Sequence, residues 1–518
     1  MSIPLLAKDV KLLYFGSVDW LTLGSNEHFT RLRNFLEDLQ YTERTVCERL
    51  GLASREDYLK LKPNPSQPRT MRDGLDLVAR LFLIGEFVGG SDLDAWAPAP
   101  VVEAIRALGL IARRNEESDE WFATAALYPV AGLYIVSDRW TSPELAPIRS
   151  AVDVVYPAVT PNTTQFLDSL PQDPCEDLLD LCSGTGIGAL TAASRYARHA
   201  WATDILERAT LCAEFSRRLS GIENVTAARG DLYEVVEGRT FDRITANPPY
   251  VPSLKPAEVY ADGGELGDRV VQRVIAGLPK YLRPGGRFYC ITAGPDRPGE
   301  GFQVQVRRWL GEAGDEFDIF LVERKLFATD QIANQQTVKT GGGPDEAVQW
   351  KALFERNRVE HLFFGSVVIE RHAARRTPVT VRRRKGSRLT SAEIEWLRCW
   401  ETGACAHTGL AAILDSKPVA SKDLELHVVH RLQDGEMAPQ NFTLETSYPF
   451  SVECGIQPWA AFLLARSDGT RTARELLAFL KENGLVDGED SEESFAEFLR
   501  VLISGGFLEI DGFRLPPR

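Results

Sequence analysis

What this sequence lacks narrows its class before any motif is read. Its 518 residues contain no run of about 18 apolar residues, so no helix is expected to cross a bilayer. The opening MSIPLLAKDVKLL has neither the basic region, the long apolar run nor the small-residue cleavage site of a signal peptide. Cysteine is sparse, eight in the whole chain with no CxxC pair, which reads as reduced thiols rather than a disulfide framework. Cys399, Cys405 and His407 lie close in sequence but lack a fourth ligand, and no metal site is expected. These absences predict a cytoplasmic protein with no membrane partner. Positive charge is also short: 59 Lys and Arg against 73 Asp and Glu give a net charge of -14. That excludes a protein that coats nucleic acid through its overall charge. One stretch runs against the trend. RHAARRTPVTVRRRKGSR, at 371–388, contains no acid and reads as a solvated connector or edge strand, or as a patch that steers an anionic partner such as RNA.

A chain of this length exceeds one hydrophobic core, and 44% hydrophobic with 25% charged residues is ordinary globular composition. Residues 1–148 read as mainly helical. NEHFTRLRNFLEDL and RDGLDLVARLFLIGEFV carry helical apolar spacing, and PAPVVEAIRALGLIARR precedes WFATAALYPVAGLYIVSD, read as two strands broken at Pro129. A helix leading into a hairpin is the outline of a winged-helix unit. Residues 149–373 alternate short apolar strands with helices, which predicts a seven-stranded, Rossmann-like parallel sheet covered on both faces. Its last two strands, FDIFLVER and HLFFGSVVIER, are expected to form an edge hairpin. A basic linker at 374–389 and a winged-helix-like unit at 390–518 complete the predicted domains. In the latter, Gly469 allows a turn and Thr472 caps a helix.

The central region holds the candidate site. DLLDLCSGTGIGAL places Gly184, Gly186 and Gly188 at a strand-to-helix turn, where a backbone without side chains can approach a ligand. Such a turn alone suits several nucleotides. The acids that follow are more selective. Asp180 ends the first strand, Asp204 ends the second, where it can accept from ribose hydroxyls, and Asp231 follows the third, placed for an adenine amino group. After the fourth strand comes NPPY, at 247–250, which a dinucleotide-dependent oxidoreductase has no reason to carry.

The chemistry NPPY suits is transfer to a poor nucleophile. A planar amide or aromatic amine has its lone pair delocalised, so holding both of its NH2 hydrogens leaves the nitrogen's electron density free to face an electrophile. Asn247 offers a side-chain carbonyl and Pro248 a backbone carbonyl held rigid by the prolines, while Tyr250 offers a flat face to a planar group.

This order of motifs resembles the class I methyltransferases that use S-adenosylmethionine, over about residues 150–372. The resemblance implies cofactor binding by Asp180, Gly184, Gly186, Asp204, Asp231 and Asn247, and catalysis by Asn247, Pro248 and Tyr250. NPPYVPS, followed by ADGGELG, a helix and a PGG turn, is similar to the HemK-type protein glutamine methyltransferases of the small-domain class. So is VVYPAVTPNTTQFLDSL upstream, although Asn162, Thr163 and Thr164 stand where that family has an acid and a threonine. The expected acceptor is a glutamine side chain in a protein, such as a translation factor. The alternative is an adenine or guanine of RNA or DNA, for which the basic run at 371–388 speaks. A third reading is a non-catalytic scaffold whose flanking units bind partners.

Overall fold

The structure, a computed structural model, describes residues 21–64, 70–145, 152–255, 259–404, 409–487 and 491–517. Cys405 and His407 lie outside the described residues.

At the centre is a sheet of eight strands, one more than the sequence predicts. They are β1 (Cys175–Leu181), β2 (Ala197–Asp204), β3 (Val225–Arg229), β4 (Phe241–Ala246), β5 (Leu282–Asp296), β6 (Phe317–Ala328), β7 (His361–Arg371) and β8 (Thr380–Arg384). Their order is β3-β2-β1-β4-β5-β7-β6-β8. All neighbours run parallel except β7, which is antiparallel to both β5 and β6. Unbroken apolar runs such as Leu178–Leu179 and Ile319–Val322 are buried because helices cover both faces. One face is packed by α2 (Ile187–Arg195) and α3 (Glu207–Leu219), the other by α4 (Arg269–Tyr281). The helix α4 buries Val271, Val274, Ile275 and Leu278, one stripe at helical spacing. A shorter helix, α1 (Pro161–Ser169), precedes the sheet; Thr160 caps it by accepting from the Thr163 amide.

Of the two structural readings of residues 371–388, the structure takes the edge strand rather than the solvated connector: Thr380–Arg384 is the outermost strand of the sheet. The eighth strand is cut from this run, and most of its cations are matched to acids of the same chain. Arg382 lies 2.8 Å from Asp296 and 2.6 Å from Glu323, Arg383 is 2.9 Å from Glu401, and Lys385 is 2.7 Å from Glu393. Arg371 pairs with Glu316, Arg376 with Asp318 and Arg388 with Asp168. Apart from Glu393 and Glu401, these acids lie 55 residues or more away in sequence, so the run looks unpaired when read alone. The hairpin of β6 and β7 forms as expected, but β8 displaces it from the edge.

In the N-terminal region, helix Asn26–Asp38 packs against α3, with Phe29 edge-on to Phe215 at 4.9 Å, and helix Glu43–Leu50 lies against the strand Ala126–Val130. Strands Val88–Gly89, Ile111–Arg113 and Glu120–Ala123 form a small sheet in which the third lies between the other two, with helices Gly90–Trp96 and Ala99–Ala107 between the first and second. The hairpin Ala126–Val130 with Leu133–Ser137 follows. Where the sequence predicts two strands broken at Pro129, there are three, and Pro129 sits within a strand opposite Tyr134. A two-stranded hairpin always has a free edge, and a strand can direct a proline there without losing a ladder bond.

Beyond β8 come helices Ser391–Glu401 and Leu410–Asp415, then a meander of Glu425–Gln433, Glu436–Thr446 and Val452–Ile456 that the sequence reading does not anticipate. Helices Pro458–Arg466, Ala473–Glu482 and Glu492–Ser504 follow, and Leu508–Glu509 pairs with Val419–Ala420. Thr472 caps the second of these helices as expected, within a capping box completed by Glu475. Among the described residues, no helix is long and apolar enough to cross a membrane.

Candidate functional site

Strand order reverses direction between β1 and β4, which opens a crevice at their carboxyl ends. Asp180 pairs in register with Thr245 and Leu181 with Ala246, so Asn247 emerges beside the turn that follows β1. A cavity of about 830 Å³ occupies this place, within the range of small-molecule sites. The loop after β1 contributes Gly184, the first turn of α2 Gly188, the end of β2 Asp204, the loop after β3 Asp231, and the segment after β4 Asn247, Pro248 and Tyr250. Residues far apart in sequence thus share one crevice.

Each acid has a distinct setting. Asp180 is 2% exposed; Oδ1 accepts from the Thr245 hydroxyl at 2.7 Å and Oδ2 from the Ala189 amide at 3.1 Å. Burial pushes its pKa up to about 7, against the opposing pull of these two bonds. A methyl group on Gly188 would stand 2.5 Å from Oδ2, so only glycine lets α2 start this close to the carboxyl. Asp180 thereby ties the first turn of α2 to β4. Asp204 holds the glycine turn from the other side, with Oδ2 accepting from the Gly184 amide at 2.9 Å and Oδ1 from the Leu206 amide at 3.0 Å. Burial raises its pKa while the backbone donors lower it. Each oxygen keeps a further lone pair for a ligand hydroxyl. Asp231 is partly exposed and its Oδ2 accepts from Arg273 of α4 at 2.7 Å. Gly186 does not line the cavity. Its φ of +79° and its contact with α3, where a methyl group would meet the Ala213 Cβ at 2.8 Å, make it a packing position.

At the other end of the cavity, the Asn247 amide makes no hydrogen bond to another described side chain. Tyr250 is fixed in place. Its hydroxyl accepts from Asn162 Nδ2 at 2.7 Å, its ring leans on Phe364 of β7 at 5.5 Å, and burial pushes its pKa up to about 12. Sequence reasoning notes Asn162 as a departure from the family pattern but misses this bond. It also misses Tyr156 and Tyr260, which stack at 4.7 Å with ring planes 10° apart and both line the cavity. The amide of Val259 donates to the carbonyl of Val152 beside them, at 3.0 Å. The segment before α1 is thus clasped to the loop after NPPY. Both tyrosines fall in segments that carry the resemblance, yet nothing in either segment indicates that the rings meet.

The strand order, with one reversed strand, and the crevice above β1 and β4 define a Rossmann-like methyltransferase core of class I. Residues 157–295, from the clasp through the end of β5, match the family described as methyltransferase small domain. Curated relatives include the ribosomal protein uL3 glutamine methyltransferase of Bradyrhizobium diazoefficiens, 33% identical over 160 residues, covering 28% of this chain and 50% of that protein. The release factor glutamine methyltransferase of Moorella thermoacetica is 33% identical over 192 residues, 33% of this chain and 64% of its own length. A uL3 glutamine methyltransferase of Bordetella pertussis is 27% identical over 273 residues, 49% of this chain and 87% of that protein. The chain therefore spans between half and two thirds of the first two relatives, and the similarity leaves much of this chain's flanks without a counterpart.

Proposed function

We propose that the chain is an S-adenosylmethionine-dependent N-methyltransferase whose acceptor is the side-chain amide of a glutamine in a protein. The observation that carries this reading is the Asn247 amide, unengaged by other side chains and set in one cavity with the glycine turn and Asp204. The cavity fits the cofactor by its size, by the absence of side chains at Gly184 and Gly188, and by a carboxylate at the end of β2. S-adenosylmethionine, when bound, supplies an electrophilic methyl group on a sulfonium. Asp204 would accept from the ribose hydroxyls, and Asp231, with Arg273 against one oxygen, keeps the other for an amino group. Asp180 acts by bracing the turn. The side-chain oxygen of Asn247 and the carbonyl of Pro248 accept the two hydrogens of the acceptor amide, and Tyr250 bears on its planar face. The names of the relatives support a protein glutamine as acceptor. The internal pairing of most of the 371–388 cations weakens the feature that speaks for a nucleic acid.

The N-terminal flank holds a short strand, two helices and an antiparallel strand pair, and the C-terminal flank three helices ending on a strand paired with Val419–Ala420. We read both as winged-helix-like modules, bounded near residues 148 and 390, that present the protein substrate. The test is methyl transfer from labelled cofactor to extract proteins. The label should survive nuclease and vanish with protease. Asn247→Ala should lower turnover by about 10²–10³-fold while calorimetric affinity for the cofactor stays near wild type. Label lost to nuclease, or full turnover in the variant, defeats the reading.

A further inference from the structure

The meander of residues 425–456 has two unlike faces. Cross-strand register sets Leu426 against Leu444, Val428 against Phe442 and Leu432 against Met437, so these six side chains share one face. The opposite face pairs His427 with Thr443, Val429 with Asn441 and Arg431 with Ala438. Leu444, at the base, is buried, but Leu432 and Met437 at the tip are 71% and 62% exposed, and every residue of Glu425–Gln433 is exposed. An apolar face of this kind is uncommon on a lone arm, since a hairpin in water is marginally stable.

The outer edge is equally unguarded. Strand 425–433 lies at the margin of its sheet, and it contains no proline and no lysine. The one register shift, between Val429 and His430, places its extra residue, Gln440, on the neighbouring strand. The devices that ordinarily keep an edge from pairing are therefore missing from it. Apart from two histidines it carries two charges, Glu425 and Arg431.

These charges are placed symmetrically about Val428. We infer that this edge pairs antiparallel with the same edge of a second copy, about a two-fold axis through Val428. Residues opposite each other then sum to the same number. Glu425 faces Arg431 of the second copy twice, Val428 faces its own counterpart, and Leu426 faces His430. The two meanders become one continuous sheet with both apolar faces on the same side. A shift by one residue would set the apolar face of one copy beside the polar face of the other. An axis through Val429 would instead set Arg431 against His427. Charge complementarity thus selects both the occupant, a second copy of this chain, and its register. The inference does not depend on the methyl-transfer reading, because it concerns an arm outside the cavity and is tested without activity.

The experiment is sedimentation equilibrium on the full chain, with far-UV circular dichroism to confirm folding. Wild type should dimerise below about 100 µM. Glu425→Arg and Arg431→Glu each set like charges against one another and should weaken the dimer by about tenfold or more. The double variant Glu425→Arg/Arg431→Glu restores opposite charges and should recover wild-type association. A monomeric wild type, single variants that dimerise normally, or a double variant that stays as weak as the singles would each overturn the proposal; the last outcome points to a different partner or register.

Discussion

Asp180 and Asn162 show how much of this site is decided by single side chains outside NPPY. With its pKa pushed up to about 7, the folded value for Asp180 lies above the ordinary value of about 3.9. Its contribution to stability is then fully present below about pH 4 and is lost as pH rises through about 7. Asp180→Asn can still accept from the Ala189 amide and donate to the Thr245 hydroxyl. Its stability in urea should therefore gain on wild type across this window, by on the order of a few kcal/mol. Parallel pH curves for the two proteins would show that burial does not perturb the group. For Asn162, the bond to the Tyr250 hydroxyl predicts that Asn162→Ala and Tyr250→Phe lower kcat alike, by about fivefold to tenfold, the equivalent of about 1 kcal/mol. Both should leave cofactor affinity near wild type. If their effects simply multiply in the double variant, the two residues act independently.

At the scale of elements, the glycine turn, the acids and NPPY were legible in the sequence because each lies at the end of a strand, and strand ends follow from local pattern. The clasp was not. Tyr156 precedes α1 and Tyr260 follows β4, and only the folded sheet brings these segments to opposite sides of one cavity. A double-mutant cycle of Tyr156→Ala and Tyr260→Ala, read as cofactor affinity, should give a coupling of about 0.5–1.5 kcal/mol. A coupling of zero would mean that the stacked rings do not hold the clasp shut. The eighth strand was legible only as an alternative to a solvated connector, for a related reason. An arginine-rich segment has the composition of a solvated surface, and its place in the sheet depends on acids donated by β5, β6 and the helix Ser391–Glu401.

Across the whole molecule, the same segment joins the core to the C-terminal region through Lys385. Its side chain and that of Glu393 are 4% and 5% exposed, and its Nζ also donates to the Pro449 carbonyl at 2.9 Å. Removing one partner leaves a buried charge without compensation, so Lys385→Met should cost about 3–5 kcal/mol in unfolding experiments. Lys385→Met/Glu393→Gln, which keeps the bond from Glu393 to the Thr390 amide available to the glutamine oxygen, should cost less than the single change. Equal losses would assign the effect to packing rather than to charge.

The sequence by itself determined the alternating core, the glycine turn, the order of the acids and the amide beside two prolines, since all of these are local patterns set by strand period and backbone restriction. Only the tertiary structure decided which side chains meet: Asn162 with Tyr250, Tyr156 with Tyr260, and the arginines of 371–388 with their acids. Those pairings are made by contacts between segments distant along the chain, and local propensity carries no information about them.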